Sequence, residues 1–151
     1  MTLLRGLVGV LVGLAVSVGF VQLLELMLAN ALAGRALQSM DDYALVLNTL
    51  PMLGIRLVVS SFMALLGGYV CAKLAEHDEM RYTMIAVIFR AVALAGGDAA
   101  GYMPPTPAWA LAVLLVVSSA AMLAGGAVRA AAATAARKGH PVRHPVAGEK
   151  S

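Results

Sequence analysis

The sequence predicts an all-α fold, an integral membrane four-helix bundle, and three observations predict it. Of 151 residues, 61% are hydrophobic and 13% charged, with a mean hydropathy of +0.86; a soluble domain is nearer half apolar and a quarter charged. The apolar excess falls in four runs, each close to the roughly 20 residues that carry a helix across a bilayer core. No run shows the alternation of a membrane β-barrel, so helices must satisfy the backbone in lipid.

Span 1 is expected at 7–28 (LVGVLVGLAVSVGFVQLLELML), interrupted only by Glu25. Its alternative reading is a cleaved signal peptide, with Arg5 as a basic start and Ala31–Ala33 as a cleavage-like site. The run is longer than a signal h-region and Glu25 breaks its end, so an uncleaved span is expected. Span 2 is expected at 51–72, span 3 at 82–97 and span 4 at 107–128, with span 3 the shortest and most polar. Pro51 and Pro107 stand at span starts, where a missing N–H is tolerated.

Lys and Arg set orientation. Arg5, then Lys73 and Arg81 between spans 2 and 3, then Arg129, Arg137, Lys138, Arg143 and Lys150 all fall on one side. The other side has Arg35 with Asp41 and Asp42, and a connection between spans 3 and 4 without Lys or Arg. Both termini are therefore expected in the cytoplasm, with the chain in a plasma (inner) membrane. Residues 1–130 form the membrane domain, and 131–151 a basic tail; from about Ala130 it begins as an Ala-rich helical extension, and its remainder, RKGHPVRHPVAGEKS, is expected to be disordered and drawn to anionic lipid headgroups. His140 and His144 are four apart, but Pro141 and Pro145 prevent the helix that would align them, and no metal site is expected. The single Cys71 reads as a packing residue. A net charge of +3 gathered at segment ends and an aromatic content of 5% argue against nucleic acid. No cofactor is implied.

The chain contains an internal match. Val58–Val70 (VVSSFMALLGGYV) and Val116–Val128 (VVSSAAMLAGGAV) agree at eight of thirteen positions, at an offset of 58. This suggests a duplicated helical hairpin in which spans 2 and 4 are equivalent, against chance similarity between two apolar spans. Ala64, Gly68 and Ala72 form a small-residue stripe on span 2, and Ala121 and Gly125 begin one on span 4. Such stripes let helices approach closely, which predicts spans 2 and 4 at the bundle centre.

Helical rise assigns depths. Arg90 lies ~12 Å into the core, and the pairs Ser60/Ser61 and Ser118/Ser119 come to ~13–15 Å, forming one polar layer near mid-depth. Glu25, Arg56 and Asp98 fall in a second layer, ~20–27 Å from the inner face. Arg56 is the expected partner of Glu25. The alternative for this outer cluster is that its side chains reach the headgroup region. A mid-membrane charge costs roughly 2.5–3.5 kcal/mol on insertion scales and is usually partnered or functional.

The opening GLVGVLVGLAVSVGF, the connection SMDDYALVLNTLP, the segment GGYVCAKLA and the launch MPPTPAW together resemble a group of uncharacterised four-span bacterial membrane proteins, over most of residues 3–130. The resemblance implies the architecture and brings no catalytic signature. Many of that group carry His before the proline–aromatic step, where Thr106 stands here.

Two functional readings stay open. One is a structural or accessory membrane protein, oligomeric or part of a complex. The other is a small transporter or channel with its polar site around Arg90. An enzyme is not expected, because HExxH and GxSxG are missing and no base accompanies the serines.

Overall fold

The computed structural model describes residues 2–34, 37, 39–75, 78–99 and 106–138. Every regular element among them is helical, and no strand is present among the described residues. Helix α1 (Thr2–Leu14) passes through a π-helical turn (Ala15–Gly19) into α2 (Phe20–Ala33) as one continuous rod. There follow α3 (Met40–Leu47), α4 (Leu50–Ala75), α5 (Glu79–Ala99) and α6 (Ala108–Lys138). Four segments are long and apolar enough to cross a membrane: Leu4–Ala33, Leu50–Ala75, Glu79–Gly97 and Ala108–Ala136. The outer surface agrees with that setting. Leu11, Val58, Ile88 and Val116 are each at least 62% exposed on four different helices, which is more apolar surface than a water-soluble bundle carries.

The helices overrun the expected spans because hydrophobicity ends before helicity does. Alanine is the strongest helix former, and the Ala-rich stretch after Val128 continues α6 to Lys138. The Ala-rich helical extension expected from about Ala130 runs to Lys138, and residues 139–151, with His140 and His144, lie outside the described residues.

Helix α3 lies in the first connection, between spans 1 and 2. Ser39 caps it, its Oγ accepting the Asp42 N–H at 3.1 Å, and Asp41 and Asp42 occupy the first turn. Acidic residues there complement the helix dipole. Upstream, α2 stops at Gly34, which takes a left-handed φ of 62° and sends its N–H to the Ala31 carbonyl. Asn30 ties down the link to α3: its Nδ2 donates to the Leu26 carbonyl at 2.9 Å and its Oδ1 accepts the Leu37 N–H at 3.0 Å.

Helix α4 touches every other helix, and α5 touches α1, α4 and α6. Helix α4, which is span 2, is therefore the most central of the four spans; α6, which is span 4, packs chiefly on α4 and α5, so the central placement that the small-residue stripes suggested is seen for span 2. The α4–α6 contact is nonetheless the most extensive in the molecule. It is close because Gly68 faces the backbone of Met122 and Gly125 faces the Leu65 carbonyl, where a Cβ on either glycine would collide. Ala64 and Ala72 are fully buried, while Ala121 packs at the edge of the core. The bundle then divides lengthwise. One half is apolar, centred on Val10, Ala64, Cys71, Ala86 and Met122. The other, toward α3, buries Ser17, Glu25, Arg56, Ser60, Arg90 and Ser118.

Candidate functional site

The polar half is built from positions four residues apart. On α4, Arg56 and Ser60 precede Ala64 on one buried stripe. On the first rod, Ser17, Val21, Glu25 and Ala29 are buried at the same interval. Four residues of α-helix turn about 400°, so such a stripe drifts around the helix. A π-helical turn holds more residues per turn, and the segment at Ala15–Gly19 reduces the drift at the point where Ser17 enters the core. The Ser17 hydroxyl donates to the Leu14 carbonyl at 3.2 Å.

Arg90 is 2% exposed. Its Nη2 donates to Ser60 Oγ at 2.7 Å and its Nη1 donates to Ser118 Oγ. The two hydroxyls come from α4 and α6, so the guanidinium of α5 bridges both neighbours. Ala86 and Thr83, one and two turns earlier on the same face of α5, are small and fully buried, which brings α5 close enough for this reach. Arg90 Nε is buried with no hydrogen-bond partner, and among the described residues Arg90 forms no ion pair.

One turn before Ser60, Arg56 meets Glu25. Arg56 Nε donates to Glu25 Oε1 at 2.8 Å, and Nη1 donates to Thr106 Oγ1 at 3.0 Å. Glu25 is 3% and Arg56 5% exposed, so this pair is enclosed by the helices. Half-buried Tyr43 of α3 lies within electrostatic range of the pair. Its phenol is pushed above its ordinary pKa by burial first and by the Glu25 carboxylate second, with Arg56 opposing.

Of the residues expected in the mid-depth layer, the structure brings together Arg90, Ser60 and Ser118. It turns Ser61 away, its hydroxyl donating to the Leu57 carbonyl at 2.7 Å, and leaves Ser119 partly buried beside Ser118. Of the second layer it joins Glu25 and Arg56. Asp98 belongs to α5, and its side chain lies outside the described residues. Three participants were not anticipated: Ser17, Tyr43 and Thr106. Ser17 stands eight residues before Glu25, a spacing that places both on one helix face, and this was the available signal. Thr106 and Tyr43 come from connections, where periodicity is silent.

Two cavities adjoin the polar groups. A small one of about 10 Å³ is lined by Ser17, Gln22, Glu25, Arg56, Ser60 and Arg90, with apolar walls. A larger half-open groove of about 210 Å³ lies between α4 and α6, lined by apolar side chains including Leu53, Leu57 and Trp109, with Arg56 and Thr106 as its polar edge. Among the described residues no group of three His, Cys, Asp or Glu side chains could hold a metal ion. The small-residue stripes are occupied within the chain, between α4 and α6.

The fold and the site together define an all-helical bundle with an apolar exterior and a buried polar half. Compared with known proteins, the chain matches no protein-family model, no curated protein and no solved structure.

Proposed function

We propose that the chain is a small structural or accessory integral membrane protein of a bacterial inner membrane, oligomeric or part of a membrane complex. One observation carries this reading: Arg90 is closed in by Ser60 and Ser118, and the adjoining cavity of about 10 Å³ holds about one water molecule and no passing solute. In this role the buried polar half fixes the register of the helices, since apolar packing alone discriminates weakly between registers in lipid. The distribution of Lys and Arg supports cytoplasmic termini, with the basic end of α6 against anionic headgroups. Ser60 and Ser118 are equivalent in the internal match, and both accept from Arg90, which supports a duplicated hairpin.

A second reading, a small transporter or channel centred on Arg90, is favoured by the π-helical turn beside the same cavity, because such turns gather at functional sites. One experiment separates the two. Leu94 lines the small cavity and is 8% exposed. In a Cys71→Ser background, Leu94→Cys is treated in intact cells with a membrane-impermeant maleimide. The structural reading expects protection until the protein is denatured. Rapid labelling of the folded protein sinks it and moves the work to flux assays.

A further inference from the structure

We propose that the small cavity beside Arg90 is a site for one monovalent anion of halide size, held inside the bundle as a structural ion. The argument begins with charge. Glu25 and Arg56 are a tight pair and cancel. Among the described residues Arg90 has only neutral partners, the hydroxyls of Ser60 and Ser118. The described side chains of the polar half therefore carry one positive charge in excess, in surroundings where an uncompensated charge is strongly disfavoured.

Hydrogen-bond capacity points the same way. Arg90 Nε is a buried donor without an acceptor, and Arg90 lines the cavity. Ser60 also lines it, and because its Oγ accepts from Arg90, its own hydrogen remains to be donated. Arg56 adds a second guanidinium to the wall. The one anionic lining group, Glu25, is already engaged by Arg56 through Oε1. A water there would satisfy Nε and leave the charge unbalanced, whereas an anion answers both. At about 10 Å³ the space is that of one water molecule, so a halide, slightly larger than water, enters with a small outward shift of the lining side chains; phosphate, sulfate or a lipid headgroup does not fit.

The test uses the full chain, purified in detergent with gluconate as the only anion. Thermal unfolding is followed while sodium chloride or sodium bromide replaces sodium gluconate at fixed ionic strength. The expected result is a saturable rise in Tm with either halide, on the order of 3 °C at about ten times the Kd. Arg90→Gln abolishes the halide response, and Ser60→Ala shifts its midpoint to severalfold higher halide. A wild-type Tm indifferent to halide overturns the proposal, as does a response that survives unchanged in Arg90→Gln. Should Arg90→Gln fail to fold, crystals grown in bromide decide. An anomalous peak within hydrogen-bonding reach of Arg90 Nε supports the site, and a map without that peak leaves the cavity to water and overturns it.

Discussion

Glu25 and Arg56 sit on α2 and α4, paired at 2.8 Å and almost wholly enclosed. Removing one partner strands the other as a buried charge, so Arg56→Met or Glu25→Leu alone should destabilise the protein by about 3–5 kcal/mol. The double variant Glu25→Leu/Arg56→Met should recover most of that loss. Unfolding titrations of the three proteins in mixed micelles would check this, and additive losses would mean that the pair is not coupled. Tyr43 makes a second prediction. Its folded pKa is raised, so the neutral phenol is favoured in the folded state. The stability this contributes is fully present below the unfolded pKa of about 10 and is lost as pH rises through the folded value. Tyr43→Phe should therefore flatten the alkaline limb of the stability profile and delete a late-titrating phenol from the absorbance at 295 nm. A profile unchanged by the substitution would contradict this. Much of this chemistry is legible in the sequence. Glu25 and Arg56 share a depth by helical rise, and Ser60 and Ser118 share a place in the repeat. Adjacent serines lie about 100° apart on a helix, however, so the sequence does not say which member of each pair meets Arg90.

The α4–α6 contact is set by backbone approach at Gly68 and Gly125. Gly68→Ala puts a methyl group against the Met122 carbonyl, and the helices must separate. Gly54, on the same helix, faces open space. There, Gly→Ala should be neutral or stabilising by up to about 1 kcal/mol, because alanine restricts the unfolded chain and favours the helix. Gly68→Ala should instead lower Tm and weaken a disulfide cross-link engineered between α4 and α6. Equal behaviour of the two variants would refute the close approach. The four long helices were readable from hydrophobic runs, since about 20 apolar residues admit few other structures in lipid. Their ends were less so, except that the Ala-rich run Ala130–Ala136 marks α6 as continuing past its apolar span. Helix α3 carried a readable start in Ser39-Met-Asp-Asp, a cap followed by acidic residues. The π-helical turn left no mark: Ala15–Gly19 has neither proline nor a polar pair.

At the scale of the molecule, an apolar half built from small residues anchors the helices, and a polar half orients them. The central place of α4 was only partly visible beforehand, because Ala64, Gly68 and Ala72 announce a close contact without naming the helix that makes it. The placement of Arg90 has a consequence for how the chain is made. Helix α5 is the least apolar of the four spans, at a mean hydropathy of 1.3 against 1.8 to 2.4. It leaves the ribosome after α4 and before α6. Ser60 is then already in the membrane to accept from Arg90, but Ser118 is not yet synthesised. Until it arrives, the arginine-bearing helix is only half accommodated, and the pause invites it to slip back toward water. A chain ended after Pro107 should therefore integrate α5 severalfold less often than the full chain, as glycosylation-tag mapping in microsomes would record. Restoring α6 as a separate fragment should rescue it, and the same fragment carrying Ser118→Ala should rescue it less well. Undiminished integration of the shortened chain would mean that α5 needs only α4. The order of the helices along the chain would then be, in part, a timetable for admitting one charge into lipid.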